Sequence, residues 1–235
     1  MFLIEGARLC ADAAQSGAGI HELFYTERAG EKYKSYLAGA VEAARQVFLI
    51  SEGVAEFLSD TKTPQGIFCV CGIPEEDGEL SRMDLSRNYL ALESIQDPAN
   101  LGAALRTAEA LGVGGVVLGG DCCDVYSPKV LRASMGAVFR LPFFRAGDMA
   151  EAVGRMNGAG FSTFAAVPDR AAPPVTRADF SRPSVAVVGN EGNGLRPETI
   201  RACGSAVTIP MAGRAESLNA SASAVILMWE MMRGR

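Results

Sequence analysis

Apolar and polar positions along the chain alternate between two periods, and the switches between them mark out elements. Over residues 1–73, "EGARLCADAAQSG" carries a helical period and stops at Gly17. "IHELFYT" and "QVFLIS" are short apolar runs of strand length, and "VAEFLSD" is a short helix. "TPQGIFCVCGI" turns at Pro64–Gly66 and enters another strand. This pattern predicts a small α/β unit. The next stretch, "PEEDGELSRMDLSR" (residues 74–87), is polar and acidic without an apolar period, and it predicts a linker.

From Asn88 the rhythm is different. "NYLALESI" and "GGVVLGG" predict strands, separated by a helix over "DPANLGAALRTAEALG". "SPKVLRASMGAVFRLPFF" predicts a helix capped at Ser127 and then a short strand, and "DMAEAVGRMNGAG" a helix closed by glycine. "FSTFAAVP" and "SVAVVGN" are strands followed by loops, "RPETIRACG" a helix begun near Pro197, and "AVTIPM" a short strand. "SLNASASAVILMWEMMR" predicts a long final helix, apolar nearly all round, which must be buried in the core or between subunits. Apolar strands alternating with helices predict a parallel sheet covered on both faces over residues 88–235.

One side chain departs from this pattern. At about 100° per residue, Leu101, Ala104, Leu105, Ala108 and Leu111 share one arc of their helix. Arg106 lies roughly 140° from Leu101, so it is either a solvated charge or aimed at a ligand. In open parallel sheets, ligands bind beyond the carboxyl ends of the strands. Three loops there are unusual: "QDPAN" just before the Arg106 helix, "GNEGNGLRPE" (residues 189–198) and "PMAGRAESLNAS" (residues 210–221). The three glycines around Glu191 permit positive φ and close approach to a ligand, or they make a tight turn in which Glu191 caps the next helix. Ser217 or Asn219 could cap the final helix. Neither "GVGG" nor "GNEGNG" has the GxGxxG spacing, and GxxxxGK[ST] is absent, which argues against a dinucleotide-binding oxidoreductase and a P-loop enzyme.

Composition narrows the class. Hydrophobic residues make up 49% of the 235, too many for a disordered chain. No apolar run reaches the roughly 18 residues of a membrane span, and the opening "MFLIEGARLC" lacks the basic start of a secretory signal. The six cysteines include no CxxC pair and the chain has a single histidine, His21, so the expectation is reduced core thiols in a cytoplasmic protein without a metal site. The net charge of −5 is unevenly spread: residues 1–87 hold 8 Lys+Arg against 14 Asp+Glu, and residues 88–235 hold 14 against 13. All but Lys129 of those 14 cations are arginines, whose planar forks suit phosphate and carboxylate. A local basic patch can still bind RNA.

Taken together, "DPANLGAALRTAEALG", "VAVVGNEGNGL" and "VTIPMAGRAESLNASASAVILMWE" resemble, in order and spacing, the three motifs of the SpoU (TrmH-type) RNA 2′-O-ribose methyltransferases of the SPOUT superfamily. The "SPKVLRASMGAVFRLPFF" run matches as well, and the part with "IEGARL" and "TPQGI" resembles the family's substrate-binding domain. Members often carry a basic segment ahead of that helix, whereas this sequence begins almost at it. The resemblance implies a C-terminal SPOUT domain with a trefoil knot over residues 88–235, preceded by a small RNA-binding domain over residues 1–73. It implies S-adenosyl-L-methionine as cofactor, ribosomal or transfer RNA as substrate, and a homodimer. By motif position, Gly189, Ile209 and Leu218 fall on cofactor-binding points. Asn100, Arg106, Glu191, Ser217 and Asn219 fall on the polar functional positions. A non-catalytic RNA-binding or ribosome-assembly protein of the same fold is the competing reading.

The chemistry so implied needs no metal, because the methyl donor carries its own positive charge. The ribose hydroxyl is a poor nucleophile until it loses its proton. Arginine is protonated up to a pKa above about 12. Arg106 therefore serves either as a base with an extreme shift or as a clamp on phosphate and developing alkoxide. Asn100 would then anchor the ribose, Glu191 orient Arg106 or accept from a ribose hydroxyl, and Ser217 and Asn219 hold the third loop and contact RNA or cofactor.

Overall fold

The first strand, β1 (Phe2–Glu5), runs antiparallel to β4 (Ile67–Cys71) at one edge of a four-stranded sheet ordered β1-β4-β2-β3 in a computed structural model, which describes residues 1–74, 78–119 and 121–233. Between them lie α1 (Ala7–Gln15), β2 (Ile20–Tyr25), α2 (Glu27–Lys32), α3 (Lys34–Ala43), β3 (Gln46–Leu49) and α4 (Glu52–Leu58). Gly6, at φ 108°, makes the turn from β1 into α1. β1 and the helical pair α2 and α3 carry no clear period in the sequence, and only the structure reveals them. Thr26 and Ser51 cap α2 and α4 through their hydroxyls.

The second unit is a six-stranded, wholly parallel sheet, β10-β8-β9-β5-β6-β7. It is built from β5 (Tyr89–Glu93), α5 (Pro98–Ala110) and β6 (Val116–Gly119), then, after the excursion described next, β7 (Phe143–Ala146), α7 (Met149–Ala159), β8 (Ser162–Ala166), β9 (Ser184–Val188), α8 (Pro197–Ala202), β10 (Ser205–Val207) and α9 (Ala220–Met232). Every residue of β5, β6 and β9 is buried, as expected of central strands covered on both faces. The expected parallel α/β architecture is therefore present.

Between β6 and β7, residues Tyr126–Arg140 group with the first unit. There α6 (Pro128–Ser134) buries Val130 and Leu131, Phe2 stacks on Tyr126 at 4.6 Å, and Arg132 lies 3.6 Å from Asp60. The sequence pattern assigns this stretch to the second unit because it stands between two neighbouring strands. Ser127 sits at the start of α6 as expected, but its buried hydroxyl makes no hydrogen bond, so the helix begins at Pro128 without a side-chain cap.

Part of the acidic stretch expected to be a linker is built into the second unit. Glu75–Asp77 lie outside the described residues. Gly78 forms a parallel bridge with Phe144, and Leu80 and Met83 pack into the core of the second unit beside Met149 and Met156. The final helix buries Ala220, Ala224, Leu227, Met228 and Met231 and leaves Trp229 56% exposed. Asn88 ties its end down: its Nδ2 donates to the Met231 carbonyl (3.0 Å) and its Oδ1 accepts from Ser184 N (2.9 Å). No helix among the described residues is long and apolar enough to cross a membrane.

Candidate active site

A cavity of about 660 Å³ opens at the carboxyl ends of β8, β9 and β10, where parallel sheets hold their ligands. The second loop forms one wall, from Gly189 to Leu195; Ile209 and, from the third loop after it, Met211 and Glu216–Leu218 supply another. All three expected cofactor residues, Gly189, Ile209 and Leu218, are in this lining, as are Glu191 and Ser217. Asp169, Glu191 and Glu216 are acidic, and no lysine or arginine lies among the lining residues. Such a wall favours a ligand bearing positive charge and works against phosphates.

At Gly189 the structure gives the tight-turn reason for glycine. A Cβ there would run into the backbone of Gly194 and Leu195. The loop folds back on itself: Asn190 and Gly194 exchange backbone hydrogen bonds at 3.0 and 2.9 Å, with Gly194 at φ 68°. Asn190 Oδ1 also accepts from Gly192 N (2.9 Å) and Asn193 N (3.0 Å). The glycines first permit a tight hairpin, and the hairpin in turn shapes the cavity wall.

A chain of polar side chains joins the three loops. Asn219 Nδ2 donates to Asn100 Oδ1 (2.8 Å), and Asn100 Nδ2 donates to Glu191 Oε1 (3.0 Å). Glu191 also accepts from Asp97 N (3.1 Å) and Gln96 N (3.3 Å) at the entrance to α5. It does not cap α8, whose start at Arg196 has no side-chain cap. Burial pushes the Glu191 carboxyl up, but the bonds from Asn100 and these backbone N–H groups outweigh it and hold the pKa below the ordinary value. Asn219 caps α9 through Oδ1, accepting from Ser221 N (2.9 Å) and Ala222 N (3.2 Å). Its two ends thus serve both readings, cap and site.

Arg106 is exposed on α5, and no hydrogen-bond or ion-pair partner for it is found among the described residues. The bonds found for Glu191 go to Asn100, Gln96 and Asp97 rather than to Arg106. Six residues of helix, a rise of about 9 Å, separate it from Asn100. Two residues absent from the sequence reading help build the site. Asn190 Nδ2 donates to the Ser94 carbonyl (2.8 Å), where Ser94 is held at φ 56°, a costly conformation for a residue with a side chain. Gln96 donates from its side chain to the Asp121 carbonyl. Asn190 stands inside "GNEGNG", where an asparagine in a glycine-rich loop signals a side-chain-braced turn.

The pattern that defines the SpoU rRNA Methylase family matches residues 87–229, and that of the MRM3-like substrate binding domain matches residues 1–69. The chain belongs to the SpoU rRNA methylase family. The resemblance read from the three loops is borne out, and a substrate-binding domain precedes the SpoU domain. Among relatives, a protein of Bacillus subtilis named 23S rRNA (guanosine(2553)-2′-O)-methyltransferase RlmP is 30% identical over 98% of this chain and 88% of its own length. The 23S rRNA (uridine(2479)-2′-O)-methyltransferase of Streptomyces viridochromogenes is 30% identical over 100% of this chain and 83% of its own. Among solved SpoU-type structures, the AdoMet-bound rRNA methyltransferase of Sinorhizobium meliloti superposes with a TM-score of 0.86 at 31% identity, covering 99% of this chain and 87% of that one.

Proposed function

We propose that this protein is an S-adenosylmethionine-dependent methyltransferase acting on a ribose 2′-hydroxyl of ribosomal RNA. The observation that carries the reading is the cavity at the strand ends, which is lined by acidic residues and by the hairpin at Gly189 and tied through Glu191 to the helix bearing Arg106. The donor set suits a sulfonium compound: acidic side chains, apolar Ile209 and Leu218, and exposed loop backbone. Full-length relatives are named for 2′-O-methylation of 23S rRNA, and structural neighbours hold AdoMet.

In this reading, Gly189, Ile209 and Leu218 surround the adenosine, and Ser217 lies on the same wall. When bound, the cofactor supplies an electrophilic methyl group on a positively charged sulfur. The chain's own task is to hold the ribose while its hydroxyl passes its proton to solvent water. Arg106, for which no partner is found among the described residues, clamps the adjoining phosphate and the oxygen as negative charge develops on it. Asn100, Glu191 and Asn219 are spent on one another and act as positioning residues. No group of metal-ligating side chains is found among the described residues. Residues 1–73 present the RNA.

The same proposal includes a trefoil knot and a homodimer. After β10 at the sheet edge, the chain returns past the Gly189 hairpin so that α9 packs on β9 and α5, which supports threading. Trp229, exposed on an otherwise apolar helix, supports a subunit contact. The unbridged cysteines, with Cys10, Cys69 and Cys71 buried, suit a reducing compartment, so we place the protein in the cytoplasm.

Incubating the protein with methyl-labelled S-adenosylmethionine and unmodified 23S rRNA tests the reading. Label should enter a single nucleotide, whose 3′ linkage then resists alkaline hydrolysis. Label on a base, or none with any ribosomal RNA, contradicts it.

A further inference from the structure

We propose that Glu93, a buried residue at the carboxyl end of the central strand, is a positioning residue that holds the glycine-rich hairpin in the shape cofactor binding requires. Glu93 is 1% exposed. Its Oε2 accepts from Arg196 N (2.9 Å), and its Oε1 accepts from Arg196 Nε (2.9 Å) and Thr199 Oγ1 (2.7 Å). Arg196 in turn donates through Nη2 to Asp148 (3.0 Å) at the start of α7.

The placement of these bonds gives them a function. The cavity wall from Gly189 to Leu195 hangs between two anchors on neighbouring residues of β5. Leu92 pairs with Val188, the residue before the wall begins, and Glu93 holds Arg196, the residue after it ends. Thr199, fully buried, and Ile200, which lines the cavity, continue from that second anchor into α8. Burying a carboxylate adds little net stability compared with a well-packed apolar side chain. Its benefit here is geometric, because three directional bonds fix where the hairpin lands. The hydrogen bonds of the Glu93 carboxylate go to Arg196 and Thr199, neither of which lines the cavity, so its effect passes through those two residues.

The inference rests on the placement of the cofactor in this cavity, and three variants of the full chain separate the two. Glu93→Gln turns an acceptor into a donor that opposes a donor. Thr199→Val removes one bond and leaves the backbone bond in place. Leu218→Arg fills the cavity and repels a cation. Calorimetry with S-adenosylmethionine should give a Kd raised about tenfold in Glu93→Gln and about threefold in Thr199→Val. The KM for RNA should be unchanged in both, and Leu218→Arg should not bind the cofactor. Unaltered Kd in the first two variants, with binding lost in the third, overturns the role of Glu93. So does a fall in thermal midpoint that weakens RNA and cofactor binding alike. Normal binding by Leu218→Arg overturns the cavity placement itself.

Discussion

Arg106 stands apart among the site side chains because it remains available. Asn100, Glu191 and Asn219 spend their polar atoms on each other and on helix ends, whereas the Arg106 guanidinium presents its planar fork to solvent. Its departure from the apolar arc was legible in the sequence. That Glu191 points elsewhere was not, since a linear pattern cannot show that Glu191 meets the entrance of a helix more than ninety residues earlier. Arg106→Ala should slow single-turnover methyl transfer by about two to three orders of magnitude and leave cofactor affinity unchanged. Arg106→Lys keeps the charge without the fork. As a clamp it retains part of the activity with the same pH profile; as a base it brings a new alkaline ionisation. Turnover by the alanine variant close to wild type returns Arg106 to the solvated face.

At the scale of elements, strands and helices with a strong period were readable, including the parallel sheet and the closing glycine of α7 at φ 107°, while the cap of α9 was narrowed to Ser217 or Asn219 and proves to be Asn219. Elements defined by their partners were not. β1 exists because it pairs with β4, and Leu80 and Met83 in the acidic stretch find a core that only the fold assembles. The link between α5, the hairpin and α9 is of the same kind, and it makes a prediction about pH. The Glu191 pKa is lowered in the folded protein, so its stabilising effect is complete above the ordinary carboxylate value of 4.5 and is lost as pH falls through the lower folded value. Thermal melts of wild type and Glu191→Gln should therefore differ by a constant amount from pH 5 to 7 and converge in acid below 4.5. Equal melting curves at pH 7 would show that the link between α5 and the hairpin contributes nothing.

At the scale of the molecule, the chain is two units whose sequences interleave. Residues Tyr126–Arg140 leave the parallel sheet between two adjacent strands and complete the first unit with Val130, Leu131 and Tyr126. Apolar periodicity places α6 correctly as a helix but is silent about which core it enters. The central claim, that the second unit methylates a ribose on RNA presented by the first, is tested most directly by mass-spectrometric mapping of ribose methylation in ribosomal RNA. The RNA should come from cells lacking this protein, complemented with wild type or with Arg106→Ala. One 2′-O-methyl nucleotide should be missing in the deletion, restored by the wild-type chain and still missing or far below full occupancy with the variant. An unchanged methylation map in the deletion, or full restoration by Arg106→Ala, would contradict the account.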